Sequence, residues 1–162
     1  MRRATGRPHY LYRLTPRGDD LFPRRYDVVA QILLEEIGAL DGGEILGLTP
    51  EEKRMLLVQR TADRLAERHR LQVAGRTLGE RVAAVAELLH SVGGFAEWYE
   101  TADGFEIRDY NCIFARLTPV SETGCEWHVR ILTRLLDHPV AHEVFSNGTV
   151  HCCRYLITPA VK

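Results

Sequence analysis

The chain has 162 residues, 45% hydrophobic and 27% charged, with a formal net charge of −1, which fits one domain of ordinary size or a domain with an appended element and suffices to bury a core. No stretch approaches the apolar length of a membrane span, and the start Met1-Arg2-Arg3-Ala4-Thr5-Gly6-Arg7-Pro8 has no signal-peptide core. A cytoplasmic protein with no membrane partner is therefore expected. The charge is uneven: residues 1–25 hold seven arginines against Asp19 and Asp20, an excess of +5 that leaves the rest at −6, so a polyanion would meet the N-terminal end.

Residues 9–14 alternate β-formers after a Gly6-Arg7-Pro8 turn and read as the returning strand of a hairpin. Thr15-Pro16 then opens a helix, and after Pro23 the face Val29, Ile32, Leu33, Ile37 and Leu40 runs up to Asp41-Gly42-Gly43, so a hairpin feeding a long helix is predicted. Thr49-Pro50-Glu51-Glu52 and Thr77-Leu78-Gly79-Glu80 are capping boxes for two further helices, one reaching about Arg70 and the other stopped by Gly93-Gly94. Their apolar stripes are narrow and can serve a partner interface as well as a core.

From Phe95 onward the pattern is that of strands. Residues 96–101 and 105–110 flank Ala102-Asp103-Gly104, and residues 141–145 and 150–158 flank Ser146-Asn147-Gly148, both hairpin signals. Between them a short helix over 113–117, a loop over 118–124 and a helix from Cys125 to about Asp137 are predicted. The expected class is α+β: residues 1–22 a hairpin remnant, 23–40 a connecting helix, and 41–162 helices with an antiparallel sheet.

Thiols stay reduced in the cytoplasm, so four cysteines in one half of a chain are read first as metal ligands or redox sensors. Twelve residues separate Cys112 from Cys125 and twenty-seven separate Cys125 from Cys153, with no close Cys-x-x-Cys pair of the zinc-ribbon kind. Only a folded domain would bring these three together. Soft thiolates suit an iron-sulfur cluster as well as zinc, and three of them leave one iron with a different fourth ligand, for which Cys152, His151 and His128 are the candidates. Cys152 and Cys153 are consecutive in a strand and should point to opposite faces. The competing reading is that the cysteines simply pack as small hydrophobes. None of the common hydrolase, zinc-protease, phosphate-loop or dinucleotide motifs is present, so no enzymatic activity is expected.

The run from Gly6 to Gly18 and then Leu21-Phe22-Pro23-Arg24-Arg25-Tyr26-Asp27 resembles the wing and following helix of SufR-type repressors, iron-sulfur-sensing winged-helix regulators near the DeoR and ArsR groups. The second half resembles their sensor at Thr77 to Val82, Leu88-Leu89, Asn111-Cys112, Cys125-Glu126 and Cys153-Arg154-Tyr155. The resemblance implies a homodimeric repressor whose Cys112, Cys125 and Cys153 bind a 4Fe-4S cluster and which releases DNA when the cluster is lost. It also favours Cys153 over Cys152. This sequence has Ile113 where the family usually has proline. A winged helix reads the major groove with a helix preceding the wing. The sequence begins inside the wing, so operator binding is expected to need helices absent here, with Arg3 and Arg7 left to touch phosphate or the minor groove. The alternative is a regulatory module holding zinc or a small ligand, with structural cysteines.

Overall fold

A computed structural model describes residues 12, 15–19, 21, 25–112, 123–146 and 151–158, with the side chains of all these but 16, 19, 123, 124 and 151. The predicted strand over 9–14, apart from Tyr12, and the predicted helix over 113–117 lie outside them, as do Arg3 and Arg7.

The first helix is two helices. A single turn, α1 (Pro16–Asp19), begins where Thr15 Oγ1 accepts a hydrogen bond from the Gly18 N–H at 3.1 Å, and α2 (Tyr26–Gly38) is a separate helix. The buried face of α2 differs from the predicted stripe. Val29, Ile32 and Glu36 are buried, whereas Ile37 is 52% exposed. Glu36 is drawn inward by α4 (Pro50–His69): Arg60 Nε donates to Glu36 Oε2 at 2.7 Å and Arg64 pairs with the other oxygen. Arg60 also reaches Glu44 at 3.0 Å, and Arg68 donates to Glu35 at 2.7 Å, so ion pairs flank the apolar contact of Val29 and Ile32 with α4.

The glycines expected to end the first helix instead begin a short one, α3 (Gly42–Ile45). Asp41 accepts from the Gly43 N–H at 2.6 Å while Glu44 accepts from the Asp41 N–H at 3.0 Å, a reciprocal cap. The boxes at Thr49/Glu52 and Thr77/Glu80 start α4 and α5 (Leu78–Ser91) in the same way, with a 3-10 turn at Arg70–Val73 between the two helices.

The sheet strands are β1 (Ala96–Thr101), β2 (Gly104–Asp109), β3 (Val140–Ser146) and β4 (His151–Ile157), with α6 (Thr123–Leu136) between β2 and β3. All pairings are antiparallel and the order is β1-β2-β4-β3. The fold is α+β, as the sequence predicts. Helix α5 packs on β1 and β2, α6 packs on β3, α4 covers α6 and α2 covers α4. Ile32, Ala62, Val82, Val85, Ile107, Leu132, Leu136 and Ile157 are almost fully buried between these layers. Asp63 of α4 accepts from Arg130 and Arg134 of α6 at 2.9–3.4 Å, tying the two helices at their rim. Across the sheet, Glu106 is 4% exposed and takes a two-pronged pair from Arg154 at 2.8 Å, with Arg108 at 2.6 Å. Arg154 foremost, with Arg108, holds the Glu106 carboxyl down to about 2 against the opposing effect of burial. Among the described residues no helix is long and apolar enough to cross a membrane.

Candidate metal centre

Strand alternation decides which side chains meet the helices. In the observed register Asp109 of β2 and Val144 of β3 flank Cys153 of β4, and one step along the same face Ile107 and His142 flank Tyr155. Cys152 falls on the opposite face, paired with Phe145 and within reach of the Arg108 and Arg154 charges.

Beyond β2 the chain turns sharply. The Asn111 N–H donates to Asp109 Oδ1 at 3.0 Å and to the Gly94 carbonyl at 3.0 Å, while Asn111 Nδ2 donates to the Gly93 carbonyl at 2.6 Å. The glycine pair that stops α5 therefore also anchors the turn carrying Cys112. A Cβ on Gly94 would lie 2.9 Å from the Leu89 carbonyl oxygen and 3.2 Å from Asp109 Oδ1, so the close approach requires glycine.

From the other side, α6 brings Cys125 and, one turn later, His128 onto one face. His128 is 1% exposed. Its Nδ1 is 2.7 Å from the Tyr155 hydroxyl and 3.9 Å from Cys112 Sγ, and its ring lies 4.8 Å from that of Tyr155, which in turn lies 5.3 Å from the His142 ring. Ligand atoms of Asp109, Cys112 and His128 all lie within 4.8 Å of one another. This buried Asp/Cys/His group could hold a metal ion.

The electrostatics suit that role. Burial, reinforced by His142, pushes the His128 imidazole down to about 3, so it is neutral at pH 7 and has a lone pair to offer. A hydrogen bond from Cys112, with further ones from His142 and Tyr155, lowers the Cys153 thiol below its ordinary value against the opposing effect of burial. Tyr155 moves the other way: burial, then the Cys112 and Cys153 thiols, then Asp109 and Cys125, raise its hydroxyl well above 10.0 and keep it protonated. His142 Nε2 is buried with no hydrogen-bond partner among the described residues.

Of the residues singled out from sequence, Cys112 and His128 meet in the close group with Asp109, Cys153 lies opposite Asp109 on β4, and Cys125 bears on Tyr155 only through its charge; neither Cys125 nor Cys153 belongs to the close group. Cys152 is a correction: as a candidate fourth ligand it is turned away by strand alternation, and it sits 2% exposed on the far face. The His151 side chain is outside the described set. Sequence reasoning misses Asp109, His142 and Tyr155, and the signal that would have found them is the hairpin register. Once Ser146 pairs with His151, counting inward by twos places Val144 opposite Cys153 and His142 opposite Tyr155. Comparison with protein-family models, with curated proteins and with solved structures finds no match.

Proposed function

We propose that this chain is the sensor part of a transcriptional regulator, in which Cys112, Cys125 and Cys153 hold a 4Fe-4S cluster that reports iron or redox state. The observation that supports the reading is that Cys112 lies against His128, with Cys153 beside Tyr155 on the helix-facing side of β4, while Cys152 points away. Three thiolates leave one metal position to another donor, and His128, neutral and buried beside Cys112, is placed for it. Such an incompletely thiolate-ligated iron is the point at which an oxidant would act. DNA repression by a homodimer belongs to the same proposal and rests on the resemblance of the Gly6 to Asp27 stretch to a wing and its helix.

A specific observation favours a second reading, a single zinc ion. Tetrahedral zinc with bonds of about 2.0–2.3 Å wants donor atoms about 3.5 Å apart, and the Asp109, Cys112 and His128 donors, within 4.8 Å of one another, need only contract modestly to meet it.

Anaerobic reconstitution with iron and sulfide, measured as metal content and visible absorption, separates the two. The cluster reading expects about four irons per chain and a brown protein that Cys112→Ser, Cys125→Ser and Cys153→Ser each abolish and Cys152→Ser does not. A colourless protein that retains one zinc, sensitive to Cys112→Ser and His128→Ala, supports the second reading and overturns the first.

A further inference from the structure

Helices α2, α4, α5 and α6 enclose a cavity of about 260 Å³, just below the usual range of small-ligand sites. Its walls are aliphatic, with Val85, Leu89 and Leu132 among them. Its buried end is His128, and its solvent-facing end carries Arg25, Arg68 and His69. No acidic residue lines it among the described residues. A pocket of this size, apolar along its walls and open at one end, favours an apolar occupant that displaces water from them.

We propose that this cavity binds a small apolar carboxylate, its chain between the helices and its head group at Arg25 and Arg68. The arginines now hold exposed or half-exposed carboxylates: Arg68 reaches Glu35 at 2.7 Å and Arg25 reaches Asp27 at 3.5 Å. Pairs of this kind are weak, so exchange for a ligand carboxylate anchored by its apolar chain is favourable. A cationic head group would be repelled by the same residues, and a neutral one would gain only the apolar contacts. The far end of the chain would abut His128, the side chain that also touches Cys112 and Tyr155, so the cavity adjoins the metal centre without sharing its thiols.

Titration calorimetry of the full chain with decanoate, decanol and decylamine tests the proposal. Decanoate is expected to bind saturably at one site and more tightly than either analogue. The Arg25→Gln/Arg68→Gln double variant should weaken decanoate about tenfold and leave decanol unchanged. Leu88→Phe, which narrows the cavity, should block both, with folding checked by circular dichroism; should that variant unfold, the arginine pair decides. The Cys112→Ser/Cys125→Ser/Cys153→Ser variant should keep decanoate binding, so failure of the metal reading leaves this one standing. Absence of saturable decanoate binding by folded protein, or equal binding of all three compounds, overturns it.

Discussion

The Tyr155 hydroxyl lies 2.7 Å from His128 Nδ1, joining the last strand to α6 beside Cys112. Both partners are almost fully buried, and the tyrosine is kept protonated while the histidine is kept neutral, so the bond is one between uncharged groups that fixes the imidazole in place. The same nitrogen faces Cys112 Sγ at 3.9 Å, so a metal bound through Nδ1 would replace the Tyr155 bond.

Tyr155→Phe removes that hydroxyl and nothing else. Loss of a buried hydrogen bond should cost about 1–2 kcal/mol of apo-protein stability in urea unfolding. Metal affinity should be unchanged or rise, because the hydroxyl no longer competes for the nitrogen that faces Cys112. A tenfold or greater fall would instead make Tyr155 the orienting partner of a histidine that binds through its other nitrogen.

Gly94→Ala places a methyl 2.9 Å from the Leu89 carbonyl oxygen and against Asp109. Backbone cannot yield as a flexible side chain does, so the Asn111 turn must shift, at about 1–3 kcal/mol. The same shift moves Cys112, and metal uptake should weaken with it. Gly38→Ala, where the added Cβ meets nothing within 4 Å, is the control and should leave uptake unaltered.

Glu36 gives the protein an acid-sensitive joint between α2 and α4. Burial alone would raise its carboxyl, yet the hydrogen bonds and charges of Arg60 and Arg64 outweigh it and the net shift is downward from 4.5. A depressed folded value means that its contribution is fully present above the unfolded value and is lost as pH falls through the folded one. Wild type should therefore exceed Glu36→Gln by about 1–3 kcal/mol near pH 7, with the gap closing in the acid range. Urea midpoints of the two proteins measured across that range check it, and a gap independent of pH would refute it.

Leu136→Ala deletes a side chain with no exposed surface between α6 and the layers around it. A loss of about 2–5 kcal/mol in thermal or urea unfolding is expected.

Much of this architecture is legible locally. Capping boxes at Thr49 and Thr77 and the Asp-Gly turn before β2 each act over three or four residues, so composition alone places α4, α5 and the first hairpin. The buried Glu36 is not legible, because what draws it inward lies twenty-four residues away in Arg60. The same holds at the centre. Strand alternation separates Cys152 from Cys153 and only the resemblance favours Cys153, but Asp109 reaches the site only because β2 and β4 are neighbours, a pairing that skips β3 and that no local pattern announces. His142 likewise depends on a hairpin register that the sequence signal at Ser146-Asn147-Gly148 does not determine to the residue.

Two adjacent cysteines on the closing strand create a hazard that Glu106 resolves. If β4 slid by one residue against β2, a thiol would still face the helices, so the site could be filled by the wrong sulfur while Tyr155 swung out to the open side. That slip would also drive Arg154 toward the apolar layer and strip Glu106 of its two-pronged partner. Leaving a buried carboxylate so deprived is far costlier than exchanging one sulfur for another. The ion pair on the outer face thus proofreads the inner one, and it tells the folding chain which of two chemically identical side chains belongs at the centre.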